Sequence, residues 1–284
     1  QTAYIKCYYP VEYMAALMTS MIGNERHIGA YIRNCKEMGI EIFPPSINES
    51  FADFTAEYRI DDKGNKHSGV RFGLLAIKHV GTGIVNSIIK SREKYGIPND
   101  IFEFISNLDV KELNKRSIES LIKSGAMDCL NENRAAMLMV YEEAVSSAQA
   151  AARSSTKDQI SIFQLDDEVK KDVSRAREMP DVKNFDRKTL LAMEKEELSV
   201  YISGHPLDDY SDLLEKNVNC YSIDLAVNKN DIDSEDRESE SVKTLKVQKI
   251  KDGEEVVMAG MLTGVKTMMT KKGDEMARSL LEDY

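Results

Sequence analysis

The chain has 284 residues, 42% of them hydrophobic and 30% charged, which is typical of a globular protein with two or three domains. No apolar run approaches the roughly 20 residues that a membrane helix needs, and no signal peptide opens the sequence. We therefore expect a cytoplasmic protein without a membrane partner. The 4 cysteines and 4 histidines are scattered, without CxxC or HExxH spacing, so neither a disulfide framework nor a metal site is expected.

Charge is unevenly distributed along the chain. The net charge is −10, yet residues 1–128 hold 16 basic and 16 acidic side chains, so the negative excess lies in residues 129–284. Within residues 65–95, six basic residues face one acidic residue, Glu93, which gives a local excess of five positive charges. The six are Lys66, Arg71, Lys78, Lys90, Arg92 and Lys94. Such a patch attracts phosphates, whereas the acidic half is not expected to wrap a duplex.

The first part of the chain predicts two helices and a β-hairpin. Pro10 opens the first helix, and Asn24 is the predicted cap of the second. Two runs with strand character then flank a polar turn. The predicted bounds are 10–22 and 24–39 for the helices and 54–60 and 68–72 for the strands. From Gly73 to about Ala152 the pattern is helical, with glycines punctuating short helices and a longer helix beginning at Arg134.

The remainder alternates polar segments with short elements. Residues 153–185 are rich in Ser, Thr, Lys and Asp and predict a mobile linker. Asp186 caps a predicted helix that ends near Tyr201, and residues 228–243 predict an acidic loop. Two further strands are predicted at 256–260 and 276–281, and an isolated hairpin of this kind is marginal in water. The fold class is therefore mainly α and multidomain.

A tight turn with two glycines is the sharpest local feature. The helices expected over 73–79 and 83–95 make it a helix-hairpin-helix, in which backbone N–H groups and a helix dipole meet a phosphate. The candidate DNA-binding residues are Lys78, Val80, Gly81, Thr82, Gly83 and Ile84. A dinucleotide-binding loop is the alternative, although Asn86 stands where the third glycine would be. A simple helix-breaking turn is the structural alternative.

A second and weaker hairpin follows at residues 121–126. Tandem hairpins grip phosphates together, and Gly125 would form the turn while Lys115, Arg116 and Lys123 supply positive charge. Taken alone, the segment is a helix that ends at a glycine.

A short apolar peptide interrupts the polar linker. It consists of Gln159, Ile160, Ser161, Ile162 and Phe163. Bulky apolar side chains in a polar segment are unfavourable unless something covers them, so the peptide either docks into a pocket of a partner or tethers to this protein's own surface.

Catalytic residues are not evident in the sequence. A polymerase centre needs clustered carboxylates that hold two metal ions about 4 Å apart. The acidic pairs at 61–62, 166–167 and 208–209 fall in a turn, the linker and a helix start, where carboxylates are usually solvated. No catalytic residue is therefore predicted.

Several segments, in order, resemble the bacterial DNA polymerase III alpha subunit. They are residues 1–17, Met38-Gly39-Ile40 with Pro44-Pro45, Arg71-Phe72-Gly73-Leu74, Leu113-Asn114-Lys115-Arg116, Gly125-Ala126-Met127-Asp128 and Ser203-Gly204-His205-Pro206-Leu207. The last thirty residues resemble the start of that family's oligonucleotide-binding (OB) barrel. The likeness covers nearly the whole chain and is weakest over residues 217–250.

The resemblance implies an internal fragment of such a polymerase. The catalytic palm would lie upstream of Gln1 and the rest of the OB barrel downstream of Tyr284. The implied regions are the end of the fingers (1–72), a tandem helix-hairpin-helix (73–152), a flexible linker with a clamp-binding motif (153–185), a helical connector with an acidic loop (186–250) and a truncated OB segment (251–284).

The implied function is DNA gripping and sliding-clamp binding within a replicative DNA-directed DNA polymerase. The expected partners are double-stranded primer-template DNA, the beta sliding clamp through Gln159–Phe163, and other replisome subunits. No cofactor is expected in this fragment, which should itself be inactive, and Mg²⁺ is expected for the full-length polymerase. The rival hypotheses are a non-catalytic helix-hairpin-helix repair factor and a nucleotide-dependent enzyme built on the Gly81/Gly83 loop.

Overall fold

A computed structural model of the chain describes residues 2–60, 64, 66–157, 179–222, 253–270 and 273–283. They fall into two compact units, Gln1–Ser203 and Gly204–Tyr284. Helices predominate and the sheets are small, which confirms the mainly α, multidomain class. Across the described residues, no helix combines the length and the apolar character that crossing a membrane requires.

The first unit begins with three helices, α1 (Thr2–Tyr8), α2 (Pro10–Ser20) and α3 (Glu25–Glu37). Pro10 occupies the first turn of α2, where a missing N–H costs nothing. That helix buries Val11, Met14, Ala15 and Met18, which share one face at helical spacing. Both predicted helices are confirmed, although the side chain of Asn24 forms no cap hydrogen bond with α3.

A three-stranded sheet packs against α2. Its strands β1 (Glu41–Phe43), β2 (Thr55–Ile60) and β3 (Lys66–Arg71) stand in the order β1-β3-β2. Antiparallel pairing of β2 with β3, with Thr55 opposite Arg71, confirms the predicted hairpin. β1 joins parallel to β3, a pairing that the sequence pattern did not predict.

Helices α4 (Thr82–Tyr95), α5 (Ile101–Ser106), α6 (Lys115–Lys123), α7 (Arg134–Lys157) and α8 (Arg187–Leu198) complete this unit. Their apolar faces join α2, α3 and the sheet in one buried core. Side chains of Asp100, Asn114 and Asp186 accept hydrogen bonds from backbone N–H groups at the starts of α5, α6 and α8. Such caps satisfy donors that have no partner inside the helix.

The helix predicted over 73–79 is wrong. Only Leu74–Ala76 form a single 3₁₀ turn, and Ile77 is extended. The backbone N–H groups of Leu74 and Leu75 donate to the carbonyl oxygens of Phe51 and Ala52, so the preceding loop holds this segment. The backbone N–H of Lys78, which would donate to Leu74 in a helix, donates instead to the carbonyl oxygen of Glu197, so a tertiary hydrogen bond replaces the helical one.

The predicted linker, residues 153–185, includes residues at both of its ends that belong to the folded unit. α7 continues to Lys157, and Met179 packs against the core. Near the other end, the carbonyl oxygen of Val182 accepts a hydrogen bond from the Asn133 side chain at 2.6 Å. Asn184 donates from its side chain to the carbonyl oxygen of Glu132 at 2.8 Å. Hydrogen bonds to the start of α7 thus fix residues 182–184.

The second unit contains α9 (Ser211–Asn217) and an antiparallel pair, β4 (Met261–Met269) and β5 (Glu275–Glu282). The strand predicted over 276–281 is confirmed, but the one predicted over 256–260 is wrong, because the strand begins only at Met261. Val257 instead exchanges hydrogen bonds with Asn219, which diverts this segment from the β pairing.

Candidate nucleic-acid interface

The first glycine turn joins the 3₁₀ turn at Leu74–Ala76 to α4. The backbone N–H of Lys78 donates to the carbonyl oxygen of Glu197 at 3.1 Å, and that of Val80 donates to Ile77 at 3.3 Å. His79 takes the left-handed conformation, with φ of 61°. The segment before the turn is 3₁₀ and extended rather than a β-strand of the sheet. It therefore lacks the strand that a dinucleotide-binding loop follows.

The start of α4 is uncapped and open. Gly81 is the N-cap residue with φ −95° and ψ 173°, and no side chain accepts a hydrogen bond there. A Cβ added to Gly81 would meet no atom within 4 Å. The first N–H groups of a helix have no partner within it, and they form its partially positive end. Open access at Gly81 therefore leaves this end approachable by an anion.

A carboxylate already lies against the first turn of α4. A Cβ added to Gly83 would stand 2.5 Å from Cδ of Glu112. A side chain at position 83 would therefore displace this carboxylate from the start of α4. An anion at a helix start is stabilised by the helix dipole. Sequence reasoning missed Glu112, because nothing in the chain links residue 112 to the turn.

The start of α6 lies beside the same turn. The hydroxyl of Ser117 donates to the carbonyl oxygen of His79 at 2.6 Å. Nη2 of Arg116 lies 3.0 Å from Nε2 of His79. The sequence grouped Arg116 with the cations of the second hairpin. Its helix, α6, leads into that turn, and its guanidinium also contacts the first turn through His79.

The second turn follows α6 and is filled by a buried arginine. Gly125 has φ of 81°, which favours glycine. Arg134 binds both carboxylate oxygens of Asp128, at 2.8 and 2.6 Å, and donates to the carbonyl oxygen of Lys123 at 3.0 Å. A Cβ on Gly125 would stand 2.3 Å from Nη2 of Arg134. The close approach at this glycine is therefore made by Arg134.

The other two predicted cations of the second hairpin form ion pairs. Lys115 binds Glu142 at 2.8 Å, and the pKa of that carboxyl is lowered by the hydrogen bond from Lys115. Lys123 binds Glu119 one helical turn earlier at 2.7 Å, which raises the pKa of the lysine. Because both pairs are partly exposed, each contributes little to stability. A phosphate would compete with these carboxylates for the lysines.

The basic patch predicted over residues 65–95 offers fewer cations to a phosphate than its six basic residues suggest, because Arg71 and Arg92 are bonded within the fold. Arg71 is only 3% exposed, and it binds Glu57 through two nitrogens at 2.7 and 3.0 Å and the carbonyl oxygen of Pro44 at 2.6 Å. These bonds lower the pKa of the Glu57 carboxyl, chiefly through the hydrogen bond from Arg71. Arg92 donates to the carbonyl oxygens of Ile47 and Ser50. Both arginines therefore stabilise the fold.

An exposed basic row remains along α4. Gly83, Asn86, Lys90 and Lys94 line one open groove beside this helix. Their spacing of three to four residues places them on one face. Lys90 and Lys94 are exposed, and Nζ of Lys94 lies 4.7 Å from the centre of the Tyr95 ring. The groove thus continues from the open start of α4 with the two lysines along this helix, and Asp109 and Glu112 also line it.

The peptide that was predicted to dock on a partner lies outside the described residues. It consists of Gln159, Ile160, Ser161, Ile162 and Phe163. Within the described ranges, no three His, Cys, Asp or Glu side chains are grouped so that they fit a metal ion.

The geometry of this region is that of a known class. The first tight turn joins the 3₁₀ turn at Leu74–Ala76 to α4, the second follows α6, and both lie within one unit with the start of α6 against the first turn. The family model described as the helix-hairpin-helix motif matches residues 39–137, which include both turns. This region therefore belongs to the helix-hairpin-helix class.

Relatives match the chain along its whole length. DNA polymerase III subunit alpha of Vibrio cholerae is 31% identical over 283 residues, which cover 100% of this chain and 22% of that protein. The proteins of the same name from Saccharopolyspora erythraea and Deinococcus radiodurans are each 33% identical, over 99% and 100% of this chain and 22% and 19% of their own lengths. The chain belongs to the DNA polymerase III subunit alpha family. It spans about a fifth of the length of these relatives.

Proposed function

We propose that this chain holds duplex DNA by its phosphates at the first hairpin turn, within a polypeptide that carries out template-directed DNA synthesis. The open, uncapped start of α4 at Gly81 carries the proposal. Backbone N–H groups and the helix dipole bind a phosphate there without reading the base sequence. Lys90 and Lys94 add positive charge along the adjoining groove.

The substitution Gly81→Asp tests this proposal while sparing the fold. The backbone at Gly81 is extended, and its Cβ direction is empty. An aspartate there would cap α4, and replacing glycine by a good cap changes stability by only a few tenths of a kcal/mol. The same carboxylate would occupy the phosphate site. We therefore expect an unchanged or raised melting temperature together with loss of duplex binding.

Fluorescence anisotropy of a labelled duplex, titrated at several salt concentrations, measures the effect. Each phosphate contact that is lost should reduce the slope of log K against log salt by about 0.9. Asn34→Asp, at an exposed position of α3, adds the same charge and is the control. If Gly81→Asp binds duplex DNA as tightly as the parent chain, the turn is not the phosphate site.

We propose further that nucleotidyl transfer, and the Mg²⁺ that supports it, depend on parts of the polypeptide other than the residues described here. The absence of a suitable carboxylate cluster within the described ranges favours this division of labour. Primer extension by the 284-residue chain alone, with Mg²⁺ and deoxynucleotides, would contradict it. We also propose that the protein is cytoplasmic and contacts other replisome subunits. A further part of this proposal is that β4 and β5 begin an OB barrel.

A second proposed function is binding of the beta sliding clamp through Gln159–Phe163. Ile162 and Phe163 occur in a polar stretch of sequence, and burying each in a partner is worth about 1.5–3 kcal/mol. Ordering the peptide offsets part of this, so we expect an affinity on the order of micromolar. Changing both residues to Ala should abolish clamp binding, measured by surface plasmon resonance, and leave the melting temperature unchanged. Retained clamp binding, or a melted fold, would contradict the proposal.

A further inference from the structure

His79 is held in a conformation that a histidine adopts rarely. Its φ is 61°, in the left-handed region, where glycine is favoured because a Cβ is unfavourable. The Ser117 hydroxyl, bound to the His79 carbonyl oxygen at 2.6 Å, fixes the residue in this position. The side chain itself is exposed. The turn alone would therefore be served better by glycine, which suggests that the imidazole has another role.

The imidazole contacts Arg116. Nη2 of Arg116 lies 3.0 Å from Nε2 of His79. A guanidinium can only donate, so Nε2 of His79 is the acceptor in this contact. One of the five N–H donors of Arg116 is used, and the side chain is exposed. Arg116 is thus held at the turn by a single hydrogen bond.

We infer that His79 is a positioning residue that holds Arg116 against the first turn, where the guanidinium contacts the same DNA phosphate as the start of α4. The inference rests on the proposed function, and it adds a side chain from a second helix to the phosphate site. A guanidinium binds a phosphate through two N–H groups, which a flexible arginine does poorly unless it is held in place.

Three variants separate positioning from support of the fold. His79→Gly removes the imidazole and relieves the left-handed strain, so the melting temperature should be unchanged or higher. Arg116→Ala removes the guanidinium. His79→Gln restores an oxygen acceptor within reach of Arg116. We expect His79→Gly and Arg116→Ala each to weaken duplex binding by about tenfold, and the double variant to be no weaker than either.

The measurement is duplex affinity by fluorescence anisotropy, with the salt slope and the melting temperature as further readouts. His79→Gln should keep most of the parent's affinity and its slope of log K against log salt. His79→Gly should lower that slope by about 0.9. Full affinity in His79→Gly would overturn the inference, as would losses in the two single variants that simply add. Gly81→Asp is measured in parallel. If that variant loses binding while His79→Gly keeps it, only this inference fails, and if Gly81→Asp keeps it, the proposed function fails.

Discussion

Glu112 offers a test in which stability and DNA affinity move in opposite directions. Its carboxylate lies against Gly83 at the start of α4, where the proposed phosphate would bind. We expect Glu112→Gln to tighten duplex binding, because the phosphate no longer meets a like charge. The same change should destabilise the fold, because the interaction of a carboxylate with a helix start contributes about 0.3–1 kcal/mol.

The size of the affinity change follows from the exposure of Glu112. Two unit charges about 4 Å apart in a water-like medium repel by about 1 kcal/mol, and salt at 0.1 M screens this further. An increase of roughly three- to fivefold in duplex affinity is therefore expected at low salt, and it should shrink as salt is raised. A value far above this would mean that the two charges lie closer together, or in a less polar medium, than this estimate takes them to be.

The assay is anisotropy of a labelled duplex, with urea unfolding of the same preparations. Glu143→Gln is the matched control, because this exposed acid on α7 gives the same change of net charge. Equal gains in both variants would show only the effect of net charge. Unchanged or weaker binding by Glu112→Gln would refute the placement of the phosphate at this helix start.

Two further predictions concern the fold around the turns. Arg134→Met should lower the free energy of unfolding by about 1–3 kcal/mol, because the buried arginine loses its hydrogen bonds to Asp128 and to the carbonyl oxygen of Lys123, and urea unfolding measures it; a loss below about 1 kcal/mol would show that Arg134 does not hold the second turn. Burial raises the pKa of the Cys35 thiol to about 11, above its ordinary value of 9.0. Because the unfolded chain loses this proton first, stability should fall as pH rises from about 9 to about 11, and Cys35→Ala should flatten that dependence; an identical pH profile in the variant would contradict it.

Local sequence determined most of the helices and the hairpin. Pro10 and Asp186 mark helix starts because a missing N–H and a capping carboxylate act within a few residues. The two strand-like runs of sequence lie only a few residues apart, which likewise favoured the local pairing of β2 with β3. The family could also be recognised, since several short segments occur in a fixed order, and the relatives confirm it.

Tertiary structure decided what the candidate site contains. Arg116 and Glu112 reach the first turn from a segment more than twenty-five residues later, which no local pattern indicates. The sequence counted Arg71 in a basic patch, but in the structure this arginine is buried and paired with Glu57. The 3₁₀ turn at Leu74–Ala76 ends where a helix was predicted to continue, because the N–H of Lys78 donates to Glu197 rather than to Leu74. The charge and the hydrogen-bonding groups of a residue can be read from the sequence. The groups with which it pairs depend on which distant segments of the chain pack beside it.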